Sequence, residues 1–212
     1  MILRCFDLGL IEYEEALRQQ EEVLMQRYRS ECEDTLLLLE HPSVFTIGRG
    51  GNANNLLTPD GVSVHRVGRG GDVTYHGPGQ LVGYPILHLE AHGRDVHAYL
   101  RRIEAVLIEV LAHYQIHAHC QNGLTGVWVG GEKIASIGIG VRHWITYHGF
   151  ALNVATDLRY FADIIPCGLV GVQMTSLTEI LGKTISVEAI KPLVANAFAH
   201  YFGYKEIVWP NL

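Results

Sequence analysis

Two residues of the 212-residue chain, Cys167 and Lys133, are of types suited to covalent chemistry. Cys167 lies between Pro166 and Gly168, where a turn can present a sulfur atom to a substrate. A thiol of ordinary pKa is only a few per cent ionised at neutral pH, so a nucleophilic cysteine needs a nearby cation or base. Lys133 suits either role, as an ammonium group that stabilises a thiolate or as a neutral amine that takes up protons. The sequence leaves both roles open, and a small buried hydrophobe remains the alternative for the cysteine.

A glycine-rich stretch at Arg69–Gln80 is the second candidate for function. It places glycines and a proline around Tyr75 and His76, between two predicted strands. Such glycine density allows the backbone to approach a ligand closely, and a mobile surface loop would be richer in Ser, Asn and Lys. The stretch lacks the Gly-Lys-Ser/Thr ending of a phosphate-binding loop and the glycine spacing of a dinucleotide fingerprint. The composition therefore predicts a ligand-binding segment that does not cradle phosphate.

The same stretch, continued by Leu81–Ile86, resembles the signature of the lipoyl(octanoyl) transferases, also called lipoate-protein ligase B. Three further segments fit that family: Gly131–Gly138 with its lysine, His148–Val154, and Ile165–Leu169 with its cysteine. The resemblance covers nearly the whole chain, from the His41-Pro42 turn to beyond Cys167. It implies an α+β fold like that of biotin and lipoate protein ligases.

The resemblance also implies a reaction and its partners. An octanoyl or lipoyl group would pass from octanoyl-acyl carrier protein to a lysine of a lipoyl domain, in 2-oxoacid dehydrogenase complexes or the glycine cleavage H protein. The intermediate would be a thioester on Cys167, with Lys133 as the second member of a catalytic dyad, and no cofactor or metal would be needed. The implied substrate-binding residues, around a tunnel for the acyl chain, are Arg69, Gly70, Gly71, Asp72, Val73, Thr74, Tyr75, His76, Ser136, Ile137, Gly138, Gly149, Phe150 and Ala151.

Histidines offer weaker candidates. His76 and His148 are expected to bind substrate rather than to act as the catalytic base, with ordinary loop hydrogen bonds as the alternative. His117 and His119 share one face of a predicted strand, but no matching pair with zinc spacing accompanies them. The oxyanion of a tetrahedral intermediate would find donors in backbone N–H groups of the glycine-rich segments or near Gly168.

Secondary-structure patterns supply the frame that must position these residues. Apolar residues recur at helical spacing in three segments, and Asp95 is a candidate N-cap for the second of them: Tyr13–Arg29, Asp95–Tyr114 and Val187–Tyr201. Alternating or continuously apolar runs predict strands at 2–10, 34–40, 43–48, 62–67, 81–89, 116–120, 126–129, 133–141 and 146–154. Strands and helices do not alternate regularly, so the predicted fold is α+β with a mixed, largely antiparallel sheet flanked by helices.

Bulk composition bounds the class of protein. With 48% hydrophobic and 18% charged residues, the chain is expected to fold as one catalytic domain spanning 1–212. The net charge of −6 argues against nucleic-acid binding. No secretory signal or long apolar run is visible, so we expect no membrane association and a cytoplasmic location. The remaining cysteines are expected to be structural free thiols: Cys5, Cys32 and Cys120.

Two other functions compete with acyl transfer. An ATP-dependent lipoate or biotin protein ligase would also use an active-site lysine, but an adenylating enzyme has no need for the Cys167 thiol. A protein that binds acyl carriers or lipoyl domains without catalysis is the second alternative, and the Cys167 and Lys133 pair argues against it.

Overall fold

The computed structural model describes residues 1–58 and 61–210. Within them the strands are β1 (Ile2–Leu10), β2 (Asp34–Glu40), β3 (Val44–Ile47), β4 (Ser63–Arg66), β5 (Val73–His76), β6 (Gln80–Ile86), β7 (Val127–Val129), β8 (Glu132–Arg142), β9 (Ile145–Asn153) and β10 (Glu206–Val208). The α-helices are α1 (Tyr13–Tyr28), α2 (Val96–His113), α3 (Leu177–Leu181) and α4 (Val187–Phe202).

Seven strands form one sheet in the order β10-β1-β2-β6-β9-β8-β7. Strand β1 runs parallel to β2 and β10, whereas the other neighbours are antiparallel. A second sheet has the order β4-β3-β5, in which β3 is parallel to β4 and antiparallel to β5. The prediction of an α+β fold with a mixed, largely antiparallel sheet and flanking helices is confirmed.

The four consecutive leucines of β2 explain how helices cover both faces of the large sheet. Side chains alternate along a strand, so Leu36 and Leu38 join the core under α2 and α4, whereas Leu37 and Leu39 join the core under α1. All four are almost fully buried, as expected for a strand covered on both sides. The leucine run therefore places the large sheet between two helical layers.

The small sheet has a core of its own beside the large sheet. Its buried residues pack with those of the turns after β9, in a cluster of Phe45, Ile47, Val73, Tyr75, Phe161 and Ile164. The same turns continue into Pro166–Gly168, which carries Cys167. The small sheet thus brings the glycine-rich segment against strands β8 and β9 of the large sheet.

Several boundaries follow the sequence closely. The Asp95 carboxylate accepts a hydrogen bond from the Ala98 amide at 3.0 Å, so the predicted N-cap of α2 is confirmed. Helices α1 and α4 end within one residue of their predicted bounds. Among the described residues, no helix combines the length and the apolar character required to cross a bilayer.

Other elements differ from the sequence-based predictions. The prediction of a strand at 116–120 is wrong. An isolated bridge joins His119 to Trp128, and the rest of the segment is a coil that Ile116 anchors to the core. Most of this coil is exposed. Strand β6 ends at Ile86, where the Leu87 amide turns to the Thr146 hydroxyl instead of the strand ladder. The short elements β5, α3 and β10 were not predicted, since each spans five residues or fewer.

Candidate active site

Cys167 occupies a strained turn. Its φ of 57° and ψ of 19° lie in the left-handed region, which costs a non-glycine residue about 1–2 kcal/mol. The turn is fixed from both sides, because the Ile165 amide donates to the Asn55 carbonyl at 2.7 Å and the Gly168 amide donates to the Ile165 carbonyl at 3.0 Å. A β-carbon on Gly168 would lie 2.7 Å from the Asp72 carboxylate. The surrounding loops therefore hold the cysteine in a conformation that it would rarely adopt alone.

Lys133 lies directly against this cysteine. Its Nζ is 3.2 Å from Cys167 Sγ, and the residue is only 2% exposed. Lys133 Nζ also lies over the Trp128 ring, 5.1 Å from the ring centroid. No salt bridge to Lys133 is present within residues 1–58 and 61–210. A buried amine whose nearest polar partner is a thiol can share one proton with it, either as ammonium and thiolate or as amine and thiol.

A narrow cavity opens at Cys167 between the small sheet and the large one. It contains about 470 Å³ of empty space, counting its open mouth. The predicted residues that line it are Arg69, Gly71, Asp72, Thr74, His76, Ser136, Ile137, Gly138, Gly149, Phe150 and Ala151. Most of the exposed wall is apolar. This lining suits a small, largely apolar ligand.

Three predicted residues lie outside this cavity. Gly70 borders a neighbouring cleft together with Lys133. Val73 and Tyr75 face the small sheet's own core, because the glycine-rich segment contains strand β5 and alternate side chains of a strand point to opposite faces. Their side chains are at most 1% exposed, so direct contact with a substrate is not available to them here.

The cavity also has lining residues that the sequence did not single out individually. Val82 and Tyr84 come from β6, within the stretch that carried the family resemblance, so a signal for them was present. Tyr13, at the start of α1, gave no signal beyond its place on a helix. His148, expected to bind substrate, lines the same wall.

The imidazoles beside the cavity are held neutral. Burial is the main cause that lowers the pKa of His76 well below its ordinary value, and it lowers the pKa of His148 to about 3. Nδ1 of His76 lies 2.8 Å from Gln80 Oε1, and the Gln80 amide is oriented by donating to Asn153 Oδ1 at 2.9 Å. His76 therefore carries its proton on Nδ1 and presents Nε2 as an acceptor. Neither ring adds positive charge at neutral pH.

Arg69 is a buried cation on the cavity wall. Its guanidinium donates to the Thr46 hydroxyl and carbonyl, both at 2.8 Å, and to the Gly70 carbonyl at 3.0 Å. Burial lowers its pKa from the ordinary value, although arginine stays charged at neutral pH. A guanidinium held by neutral acceptors keeps most of its charge available to a ligand.

Asp72 has a different task in this arrangement. Its carboxylate accepts from the Asn52 amide at 3.0 Å, from the Val73 amide at 2.7 Å and from the Asn55 side chain. Asn55 in turn holds the Cys167 turn through its carbonyl. The carboxylate therefore positions the loops around the cysteine rather than remaining free for a substrate.

The proposed backbone oxyanion donors are partly occupied. The amides of Gly168 and Leu169 donate to the carbonyls of Ile165 and Pro166, both at 3.0 Å, and the Gly70 amide donates to the Ile139 carbonyl at 2.7 Å. These N–H groups are thus not free to bind an oxyanion in this conformation, contrary to the expectation for the amides near Gly168.

The other candidate sites do not form. In the described part of the chain, no three His, Cys, Asp or Glu side chains are grouped so as to hold a metal ion, and His117 and His119 gain no third ligand. All four cysteines are free. Cys5 is buried, and burial raises its pKa to about 12, as expected for a structural thiol. Cys120 is exposed instead, with its thiol 3.3 Å from Glu104 Oε2.

With this geometry established, similarity to known proteins becomes informative. The profile of the lipoyl protein ligase A/B catalytic domain matches residues 12–199. The chain belongs to this family. The octanoyltransferase of Geobacter metallireducens is 50% identical over 192 residues, covering 91% of this chain and 90% of that protein. The octanoyltransferase of Gloeobacter violaceus is 50% identical over 197 residues, covering 92% and 88%.

Solved structures agree with the family at the level of fold. Lipoate-protein ligase A bound with ATP superposes with a TM-score of 0.81 at 17% identity, covering all of this chain and 89% of that one. The biotin protein ligase from Aquifex aeolicus, in complex with biotin and ATP, gives a TM-score of 0.59 at 12% identity, covering 94% and 70%. The predicted membership of the lipoyl(octanoyl) transferase family, with a biotin/lipoate protein ligase-like fold, is confirmed. The curated relatives are octanoyltransferases, which are acyltransferases, so this chain is an enzyme of that class.

Proposed function

We propose that the chain transfers an octanoyl or lipoyl group from acyl carrier protein to a lysine of a lipoyl domain, through a thioester on Cys167. The acceptors are the lipoyl domains of 2-oxoacid dehydrogenase complexes and the glycine cleavage H protein. One observation carries this proposal: Lys133 Nζ lies 3.2 Å from Cys167 Sγ where a largely apolar cavity opens. Relatives of about 50% identity that are octanoyltransferases support the choice of acyl group.

The first half of the reaction loads the enzyme. The Cys167 thiolate, paired with the Lys133 ammonium, attacks the thioester carbonyl and forms a tetrahedral intermediate. Collapse of that intermediate breaks the bond to the carrier's sulfur, which leaves as a thiol after taking a proton from Lys133. The acyl chain extends along the wall formed by Val82, Phe150 and Ala151. Exchange of one thioester for another is nearly neutral in free energy, so this step needs no ATP.

The second half delivers the acyl group to the acceptor. Lys133, now neutral, accepts a proton from the attacking amine, and the new tetrahedral intermediate expels the Cys167 thiolate. An amide is more stable than a thioester, so this step drives the whole transfer forward without a cofactor. Lys133 thus acts both as the countercharge of the thiolate and as the proton carrier, the two roles that the sequence left open.

The buried cation and the neutral imidazoles supply the polar surroundings. Arg69 lines the same cavity as Cys167 and presents positive charge to the developing oxyanion or to the acyl carbonyl. His76 and His148 stay neutral and bind substrate without competing as bases at neutral pH. Because the thiolate requires reducing conditions to persist, we place the reaction in the cytoplasm.

The contact between Cys167 and Lys133 disfavours the two alternative functions. A ligase that adenylates a free carboxylate does not require a thiol, yet here the amine that such an enzyme would use is in contact with Cys167. A purely binding protein would have no need to hold Cys167 in a strained backbone conformation beside a buried lysine.

Single-substitution transfer assays without ATP test the proposal. Cys167→Ser should abolish transfer from octanoyl-acyl carrier protein to a lipoyl domain, because a serine alkoxide is far harder to generate than a thiolate. Cys120→Ser removes an exposed thiol and serves as the matched control, with activity expected to be unchanged. Full activity of Cys167→Ser, or an absolute requirement for ATP in the unsubstituted chain, would overturn the proposed function.

A further inference from the structure

Two clefts, rather than one, meet at the reactive sulfur. Cys167 borders the narrow cavity described above, called the acyl cavity because the proposed mechanism places the acyl chain in it. Cys167 also borders a second cleft, which shares Gly71, Ile137 and Gly138 with the acyl cavity. Lys133 lines only the second cleft. The walls of that cleft include three leucines from separate parts of the chain, which are Leu100 on α2, Leu124 after the Gly123 turn and Leu169 after the cysteine turn. The amine therefore belongs to the wall of the second cleft and not to that of the acyl cavity.

This division constrains where each part of a substrate can lie. During either half of the proposed reaction the acyl carbon is bonded to Cys167 Sγ, with its chain in the first cavity. The departing thiol or the attacking amine must exchange a proton with Lys133, so it must be within hydrogen-bond reach of Nζ. Of these two clefts, the second has both Cys167 and Lys133 as wall residues, whereas the acyl cavity has Cys167 alone of the pair.

We propose that the second cleft is an arm site, which receives in turn the two arms that deliver and remove the acyl group. Each arm is a flexible, unbranched chain that ends in a thiol or a primary amine. The proposal rests on the proposed function and adds the route by which the carrier's thioester and the acceptor's lysine reach the sulfur. The acyl chain and the arm would then never compete for space.

The lining of the arm site suits such a ligand. Its apolar walls can cover methylene groups, and its lining includes no carboxylate. Lys133 and Cys167 are its ionisable groups, and burial beside a neutral Lys133 favours the neutral, nucleophilic form of an entering amine. A thiol enters or leaves at the same place without bringing a charge.

The outer wall is held in place before any arm arrives. Glu104 is fully buried on α2, one helical turn after Leu100, and its Oε1 accepts from the Gly126 amide at 3.1 Å. Gly126 has a φ of +134°, and a β-carbon there would lie 2.7 Å from Lys133 Cε. Helix α2, the loop before β7 and the reactive lysine are thus locked together, which makes the arm site a preformed cleft.

Variants that block the arm site distinguish its role from that of the acyl cavity. Leu124→Trp fills the arm site from the loop, and Leu100→Trp fills it independently from α2. Leu193→Trp, on a half-buried leucine in the groove between α2 and α4, is the matched control. Circular dichroism and thermal melting verify that each variant is folded.

Three rates are then compared by mass spectrometry. The first is alkylation of Cys167 by 1-bromo-2-nonanone, in which the thiolate displaces bromide. This reagent carries an octanoyl portion but no arm, so it needs only the acyl cavity. The second is acylation by the octanoyl thioester of pantetheine, and the third is transfer from fully loaded enzyme to a lipoyl domain. We expect both arm-site variants to slow the second and third rates at least about tenfold while leaving the first within about threefold. The Leu193→Trp control should match the unsubstituted chain in all three.

Several results would overturn the arm site. Equal slowing of alkylation and acylation would mean that the two clefts are not separate, and unchanged rates in both variants would mean that the cleft carries no arm. Slowing of only the second or only the third rate would refute shared use and assign the cleft to the donor thiol or to the acceptor lysine alone. Failure of the unsubstituted chain to form an octanoyl thioester would instead contradict the proposed function.

Discussion

Replacing Lys133 by methionine removes its charge while keeping most of its volume, which matters because the side chain is only 2% exposed. At the observed 3.2 Å separation from Cys167 Sγ, an ammonium–thiolate pair is worth about 5 kcal/mol at an effective dielectric constant of about 20. Desolvation of both groups offsets most of this attraction. A net attraction of about 1.4 kcal/mol changes the thiolate population about tenfold.

We expect iodoacetamide to label Cys167 about tenfold more slowly in Lys133→Met than in the unsubstituted chain at pH 7. Peptide mass spectrometry reports the rate, and the exposed thiol of Cys120 in the same sample serves as an internal standard. Lys183→Met removes an exposed lysine and controls for the loss of one positive charge. An unchanged labelling rate would refute the role of Lys133 as countercharge. Lys133 could then act only as the proton carrier during amide formation, which predicts normal acyl-enzyme formation with lost transfer to the acceptor.

Three further predictions follow from the packing. Gly126→Ala should lower transfer at least about tenfold, because the new methyl group would lie 2.6 Å from the Ala135 carbonyl oxygen and 2.7 Å from Lys133 Cε, and the φ of +134° disfavours alanine. Activity equal to the unsubstituted chain would show that these contacts are unimportant. Ala151→Phe should shift acyl preference toward chains shorter than octanoyl in a competition assay, at about 0.8 kcal/mol for each methylene that no longer fits, and an unchanged preference would place the chain elsewhere. Burial lowers the pKa of His41 to about 4 and that of His148 to about 3, below the ordinary 6.5, so the unfolded chain binds more protons. Stability should be fully present above pH 6.5 and fall toward pH 4, approaching about 1.4 kcal/mol per pH unit for each histidine; denaturant unfolding at pH 7 and pH 5 checks this, and equal stability would contradict it.

Elements with strong local patterns were predictable from the sequence. The N-cap of α2 and its apolar face depend on residues that are close together in the sequence. The leucine run of β2 has the composition of a strand covered on both faces. The segment at 116–120 has a similar short alternation, but it lacks a partner along most of its length and forms a coil. Local pattern fixes a strand only when a neighbouring strand is available to complete the ladder.

The sequence likewise predicted some features of the site and not others. Motifs around Lys133 and Cys167 marked both residues, and the structure brings them into contact although they are 34 positions apart in the sequence. The placement of Val73 and Tyr75 in a core depended on strand β5, which four residues within a glycine-rich segment do not reveal. The second cleft was not predictable, because its walls come from α2, the loop before β7 and the cysteine turn, which only the tertiary fold brings together.

The central claim is that Cys167 carries the acyl group, and intact-mass spectrometry tests it most directly. The unsubstituted chain is mixed with octanoyl-acyl carrier protein, without ATP and without acceptor, and its mass is measured before and after treatment with neutral hydroxylamine. We predict a mass increase of one octanoyl group that maps to the peptide containing Cys167, is removed by hydroxylamine and is absent in Cys167→Ser. No mass increase, or an octanoyl group on another residue, would contradict the account.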